Sequence, residues 1–169
     1  MKCPSCGHNN IAGEDFCESC QADLTSFDGV IPKTKMERVL MEDHLAKLKP
    51  KEAICVSEDT SIYDAVKKMN EIKAGCVFVQ NTSGAFTGIV TERDILLRAV
   101  GTIPNLEKTK VSTIMTHNPD TLDEEDTLAY ALHEMSVKNY RHIPVLRAEK
   151  KIGVITARDV LNYLAKLFP

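Results

Sequence analysis

What most limits the fold of this chain is that it repeats itself. Residues 57–79 align without gaps to 123–145, at an offset of 66. Ile62, Ala65, Val66 and Met69 match Leu128, Ala131, Leu132 and Met135, a spacing that builds one apolar helix face. Ser61 and Thr127 stand at the matching N-cap position, and Asp64 adds a capping-box-like pattern in the first copy. Each predicted helix leads into a short apolar strand, Cys76-Val77-Phe78-Val79 and then His142-Ile143-Pro144-Val145. A turn follows, marked by Gly84 in one copy and by Glu149-Lys150-Lys151 in the other. The match resumes at an offset of 65, with Gly88-Ile89-Val90-Thr91-Glu92-Arg93-Asp94 against Gly153-Val154-Ile155-Thr156-Ala157-Arg158-Asp159. Helices are expected next, from Ile95 to about Val100 and from Val160 to about Phe168. With short strands at Ile54-Cys55-Val56 and Thr121-Leu122, each copy reads β-α-β-β-α. Two copies are too few for a solenoid, so they are expected to pair with each other. A hairpin at the centre of each copy makes the sheets mixed, and the fold class α+β or mixed α/β.

The cysteines are not spread through this repeat. Cys3, Cys6, Cys17 and Cys20 form two C-x-x-C knuckles in the first twenty residues. Four thiolates at this spacing suit one tetrahedral zinc ion and leave no open position for catalysis. A segment of roughly 24 residues is too short to bury a core, and a structural metal can supply its folding energy. Iron fits the same ligands, so a rubredoxin-like electron carrier stays open as an alternative. His8, beside the first knuckle, reads as a polar turn residue. The segment resembles a zinc ribbon, with Gln21 where a glycine often follows the second knuckle. Its only cation is Lys2, against Glu14, Asp15, Glu18 and Asp23, and its only aromatic residue is Phe16. That surface would repel a phosphate backbone, so a protein-docking role is expected, with a nucleic-acid-associated regulator as the alternative. A net charge of −3 points the same way.

Residues 21–33 read as a connector rich in Asp, Thr, Ser and Gly, closing at Ile31-Pro32. Thr34 to Leu48 reads as one helix capped by Thr34 and stopped by Pro50, with Met36, Val39, Leu40, Met41, Leu45 and Leu48 on its apolar side. Packing on the following domain is expected of it, or a dimer contact. No apolar run reaches membrane-span length, and the start lacks a signal peptide's apolar segment. Cytoplasmic residence is therefore expected. Cys55 and Cys76 sit in strand patterns and read as core thiols.

The tandem copies resemble a pair of CBS domains, named after cystathionine β-synthase, over roughly residues 40–169. The carriers of the resemblance are the glycine-apolar-apolar-threonine-x-x-aspartate motif in both copies, the run Arg141-His142-Ile143-Pro144-Val145, and Met115-Thr116. The resemblance implies a regulatory module that is not an enzyme, binds adenosine-containing ligands between its repeats, and forms flat homodimers. AMP, ADP, ATP and S-adenosylmethionine are the ligand candidates. It also implies that Thr91 and Thr156 contact phosphate while Asp94 and Asp159 hold ribose. The residues themselves leave two uses open. A threonine followed three positions later by a carboxylate starts a helix as a capping box, and it also places a hydroxyl and free N–H groups where an anion is favoured.

Arg141 and His142 align with Gly75 and Cys76, so a cation and an imidazole are expected in one copy alone. An arginine can fork onto phosphate, and the two clefts are therefore expected to be unequal. Gly88 and Gly153 allow close strand packing. Gly75 either admits a base or ends a helix. His117 and His133 read as helix-surface residues. Neither a phosphate-binding glycine loop nor a helix with metal-binding histidine spacing is present. The expected organisation is a ribbon at 1–24, a linker and helix at 25–50, and repeats at 51–108 and 109–169. A small regulatory protein with an adenosine ligand and an unidentified protein partner is the resulting expectation.

Overall fold

A computed structural model describes residues 2–3, 5–11, 14–24, 32–147 and 151–167. Part of the expected connector, the tip of the second hairpin at Glu149-Lys150, and Phe168 lie outside the described residues. In chain order the elements are α1 (Lys35–Glu42), a 3-10 turn (Leu45–Leu48), β1 (Lys51–Glu52), β2 (Cys55–Ser57), α2 (Ile62–Ile72), β3 (Cys76–Gln80) and β4 (Phe86–Thr91). A helical stretch follows as α3 (Glu92–Asp94) and a π-turn (Ile95–Ala99), then a 3-10 turn (Val111–Thr113) and β5 (Thr116–His117). The second repeat holds β6 (Leu122–Asp123), α4 (Leu128–Lys138), β7 (His142–Leu146), β8 (Ile152–Thr156) and α5 (Ala157–Ala165).

The capping signals act where the sequence places them. Ser61 and Thr127 accept the N–H groups of Asp64 and Tyr130 and start α2 and α4. The apolar faces of those helices close two separate cores. One gathers Ile62, Ala65 and Met69 with Val77, Val79 and Val90, and the other Leu128, Ala131 and Met135 with Ile143, Val145 and Ile155. The sheets are mixed as expected: β2 runs parallel to β3 and β6 to β7, while the β3–β4 and β7–β8 hairpins are antiparallel.

Each sheet also takes a strand from outside its own repeat. The sheet orders are β1-β8-β7-β6 and β2-β3-β4-β5. β1, which opens the first repeat, pairs with β8 of the second, and β5, near the start of the second, pairs with β4 of the first. The motif glycines make this possible. A Cβ on Gly88 would lie 2.9 Å from the Thr116 carbonyl oxygen, and one on Gly153 would lie 2.9 Å from Pro50 Cβ and 3.1 Å from the Lys51 carbonyl oxygen. A third apolar cluster joins the two sheets through Cys76, Phe78 and Ile89, with Cys55, Ile152 and Val154 packed against them. Both lone cysteines are thus packing residues, and burial pushes the Cys76 thiol up to about 12.

The helix expected from Thr34 to Leu48 breaks after Glu42. Asp43 turns the chain, caps α1 by its N–H to Val39, and takes a hydrogen bond from the Tyr163 hydroxyl at 2.6 Å and an ion pair from Lys47. The next residues are stitched to the second repeat: Leu45 N–H reaches the Asp126 carbonyl at 2.8 Å, and Leu128 N–H reaches the Asp43 carbonyl at 3.0 Å. Leu45 is buried in the second core, with Val39, Leu40 and Leu48 against it. α1 therefore packs on the repeat farther along the chain. His117, expected on a helix surface, lies on β5.

Candidate functional site

Both threonine-aspartate motifs end a strand and begin a helix. Thr91 accepts the Asp94 N–H at 3.3 Å, while its own N–H and hydroxyl donate to Asp94 Oδ2 at 2.9 and 2.6 Å. Thr156 and Asp159 repeat this arrangement at 3.2, 2.9 and 2.6 Å. The capping box is thus made in both copies, and each threonine proton goes to its own aspartate. The second oxygen of each carboxylate faces a different cation. Asp94 Oδ1 lies 3.4 Å from Arg98, and Asp159 Oδ1 lies 3.1 Å from Lys51 on β1. Burial raises the Asp159 pKa, but the Thr156 hydroxyl and the Lys51 ammonium outweigh it and hold the carboxyl below its usual range.

The first motif opens onto a cavity of about 710 Å³. Thr91 and Asp94 line it from the first repeat, and Arg141 and His142 line it from the second. Four of the six residues singled out from sequence therefore meet in one cavity. Thr156 and Asp159 do not belong to it and lie at the related end of β8. Arg93, Arg98 and Lys138 add cations to the cavity wall, against Glu92, Asp94 and Asp120. Arg93 donates to the Asn139 carbonyl at 3.1 Å and Arg98 to the Ile114 carbonyl at 2.7 Å. Arg141 is exposed; its carbonyl accepts the Ala157 N–H at 3.0 Å, and its guanidinium has no hydrogen-bond or ion-pair partner among the described residues.

Gly75 neither ends a helix nor borders the cavity. Lys73 ends α2 in the left-handed conformation, with φ 52°. A Cβ on Gly75 would lie 2.7 Å from His142 Nε2, so its lack of a side chain makes room for that ring. Burial lowers the His142 pKa, Arg141 adds to the effect, and Glu92 and Asp159 oppose it. The helix after the first motif widens into the π-turn, closed by Val100 N–H to the Ile95 carbonyl at 3.0 Å, where the second motif continues as regular α5. The helices begin at Glu92 and Ala157, three residues before the expected starts, because the motif itself is the cap.

The four N-terminal cysteines converge, their sulfurs all lying within 4.8 Å of one another. The Cys3–Cys20 and Cys6–Cys17 pairs stand 3.6 and 3.5 Å apart. Zinc–thiolate bonds of about 2.3 Å put tetrahedral sulfurs roughly 3.8 Å apart, so the donor set fits a four-coordinate ion. The knuckles are near copies. Gly7 and Gln21 take φ of 74° and 59°, with N–H bonds to Cys3 and Cys17 carbonyls at 2.8 and 2.9 Å. Gln21 thus adopts the glycine conformation. Buried Asn10, which the sequence did not single out, ties the knuckles: its Oδ1 accepts the Glu18 N–H at 2.9 Å and its Nδ2 donates to Cys17 Sγ at 3.6 Å. Burial raises the Cys17 pKa, but backbone N–H groups of Cys20 and Ser19 outweigh it and bring the thiol down to about 6. Cys20 receives the Ala22 N–H, yet Cys6 and burial push it up to about 12. Such crowding of sulfurs is relieved by a cation. The segment rests on the start of α4, and Lys2 pairs with buried Asp126 just before the Thr127 cap. A Cβ on Gly7 would fall 2.8 Å from the Tyr130 hydroxyl.

The CBS domain model matches residues 47–101 and 111–166. The CBS domain-containing protein CBSCBSPB2 of Arabidopsis thaliana is 30% identical over 114 residues, 68% of this chain and 21% of its own length. This chain spans about a fifth of the length of the first curated relatives it matches. Among solved structures, a putative signal-transduction protein with CBS domains from Burkholderia ambifaria aligns with a TM-score of 0.70 and 26% identity, covering 75% of this chain and 97% of that one. A CBS domain protein from Pyrobaculum aerophilum complexed with AMP aligns at 0.64 and 23% identity, covering 73% and 99%. The CBS domain pair of MJ0100, in complex with 5′-methylthioadenosine and S-adenosyl-L-methionine, aligns at 0.65 and 22%, covering 74% and 98%. No helix of the described residues is long and apolar enough to cross a membrane. Carrying the threonine-aspartate motif twice in one strand-swapped pair, the chain belongs to the CBS-domain family.

Proposed function

We propose that the protein is a non-enzymatic regulatory module that binds an adenosine nucleotide in the 710 Å³ cavity. One observation carries the reading: the cavity brings Asp94, an acceptor suited to ribose, together with the Arg141 guanidinium of the opposite repeat, which has no partner among the described residues. Its volume lies in the range of small-molecule sites. The AMP and S-adenosyl-L-methionine complexes of structural relatives support an adenosine ligand. The excess of cations favours the phosphorylated candidates AMP, ADP and ATP over the sulfonium. Arg141 forks onto phosphate, Asp94 holds the ribose, and Thr91 positions Asp94. Thr156, Asp159 and Lys51 form a weaker second site, so occupancy is unequal.

Cys3, Cys6, Cys17 and Cys20 hold zinc as a structural ion. Residues 1–24 act as a docking ribbon joined through 25–50 to repeats at 51–108 and 109–169, and the assembly is a homodimer. Exposed Leu96 and Leu161, each two residues beyond its motif aspartate, support a self-association face.

Calorimetric titration with AMP, ADP, ATP and S-adenosylmethionine tests the reading. Both Asp94→Ala and Asp159→Ala lose capping stability of about 1 kcal/mol. Ligand contact predicts that Asp94→Ala alone abolishes the stronger binding event. Equal weakening by both variants, or no binding of any ligand to the wild type, refutes the proposal. Colourless protein with one zinc per chain supports the metal assignment, and visible absorbance from iron refutes it.

A further inference from the structure

The ribbon and the nucleotide cavity share a wall. A groove of about 320 Å³ lies between the ribbon and the second repeat, with Cys6 and Gly7 on one side and Tyr130 and Glu134 on the other. Asp120 and Lys138 line this groove and also line the larger cavity. Lys138 Nζ stands 2.7 Å from Glu134 and 3.0 Å from Asp120. These carboxylates are not equivalent. The Glu134 side chain is 4% exposed, whereas that of Asp120 is 56% exposed. An ammonium has three donors, and two are directed at carboxylates here.

We propose that Lys138 is an anion-binding residue of the cavity, and that a nucleotide phosphate displaces Asp120 from it and loosens the ribbon from α4. This rests on the nucleotide reading above. A phosphate carries more charge than a single carboxylate and is repelled by Asp120, so the exposed partner leaves first. Buried Glu134 keeps Lys138, because it would otherwise lie uncompensated in the wall. Asp120 leads directly into β6. There the Asp123 N–H donates to Asp126 Oδ2 at 2.8 Å, and Asp126 is the partner of Lys2 on the ribbon. The wall thus has two arrangements: Asp120 on Lys138 with the ribbon seated, or phosphate on Lys138 with the ribbon loosened. By reciprocity, a protein that captures the loosened ribbon tightens nucleotide binding by the same factor.

Lysine acetylation of the full, metal-loaded chain, read by mass spectrometry with and without ATP, tests this alongside calorimetry. ATP is expected to protect Lys138 and to raise Lys2 acetylation about fivefold. ATP that binds by calorimetry but leaves either lysine unchanged overturns the proposal. If ATP does not bind, the acetylation comparison is made with AMP or ADP; if no candidate ligand binds, the nucleotide reading fails by itself, and the wall is tested without ligand. Lys138→Met is then expected to raise Lys2 acetylation severalfold while Lys138→Arg leaves it low. Asp120→Asn serves as the milder variant should Lys138→Met fail to fold, and it is expected to raise Lys2 acetylation. An unchanged Lys2 rate in the folded variants overturns the coupling.

Discussion

Gly88→Ala tests whether the swapped strand sets the first motif. The added Cβ would meet Met115 Sδ at 2.7 Å and the Thr116 carbonyl oxygen at 2.9 Å. The methionine can turn away, but the carbonyl belongs to β5, which is fixed by pairing Gly88 with His117 and Ile89 with Thr116. Relief therefore requires β5 to move outward by several tenths of an ångström. Forcing a methyl group into a close-packed site costs about 1–3 kcal/mol, and replacing a strand glycine by alanine returns about 0.5–1 kcal/mol of backbone entropy. The difference spans about 0–2.5 kcal/mol, with a central value of about 1 kcal/mol. For a chain of this size that central value is a fall in Tm of roughly 2–4 °C. Thermal and urea unfolding followed by circular dichroism read it. Thr116 lines the 710 Å³ cavity, so under the proposed function weaker nucleotide binding is expected alongside the stability loss. Gly153→Ala is expected to behave alike in stability, since Lys51 carbonyl oxygen and Pro50 crowd it. An unchanged or raised Tm in Gly88→Ala would show that glycine at this position is not demanded by β5.

Other perturbations have defined outcomes. Tyr163→Phe removes the donor to buried Asp43 and is expected to cost about 1–2 kcal/mol in urea unfolding, through α1 leaving α4. Gln21→Gly relieves a left-handed residue and is expected to stabilise the ribbon by about 1 kcal/mol, read as slower metal transfer to a chelator. His142 has its pKa lowered from 6.5, so the unfolded chain binds more protons below that value. Stability is then full above about pH 6.5 and falls as pH drops through it; His142→Gln is expected to flatten that slope in unfolding measured from pH 7.5 to 5.5.

The frame was legible in the sequence where periodicity is long or chemistry is dense. The eleven-residue helices α2 and α4 carry an apolar face over three turns, and the cysteine knuckles carry a ligand count. Two-residue strands carry neither. β1 and β5 hold four residues between them, too few for an alternating pattern, and their pairing with the opposite repeat comes from tertiary geometry. The same limit explains α1: its apolar stripe marked a packing face but could not choose between two repeats. Asp43, polar and mid-pattern, was the residue that broke the helix, and its partners Lys47 and Tyr163 lie 4 and 120 residues further along the chain. At the site, the duplicated motif and the restriction of Arg141 and His142 to one copy were visible, while their meeting with Thr91 and Asp94 of the other copy in one cavity was not. Gly75 could be related to His142 only once the two repeats were placed face to face.

That placement explains why the copies differ where they do. The residues shared by both repeats, Gly88 with Gly153, Thr91 with Thr156 and Asp94 with Asp159, build the strand end and the helix start and can be identical. The residues that meet across the pair are in a different position. The 66-residue offset relates Gly75 to Arg141 and His142 to Cys76, so the position equivalent to Gly75 beside His142 is that of Arg141 beside Cys76. Gly75 has room for no Cβ beside the His142 ring, at 2.7 Å. If residue 76 were also an imidazole, Arg141 would bring its own Cβ against that ring from the opposite side. One ring can be accommodated because the residue facing it is glycine, and the small thiol of Cys76 leaves Arg141 free to line the cavity. Two matching sites, each with an imidazole and an arginine, would place those groups in one another's space. The proposed inequality of the two clefts follows from this packing argument, and Arg141 lies on the side where the first motif opens.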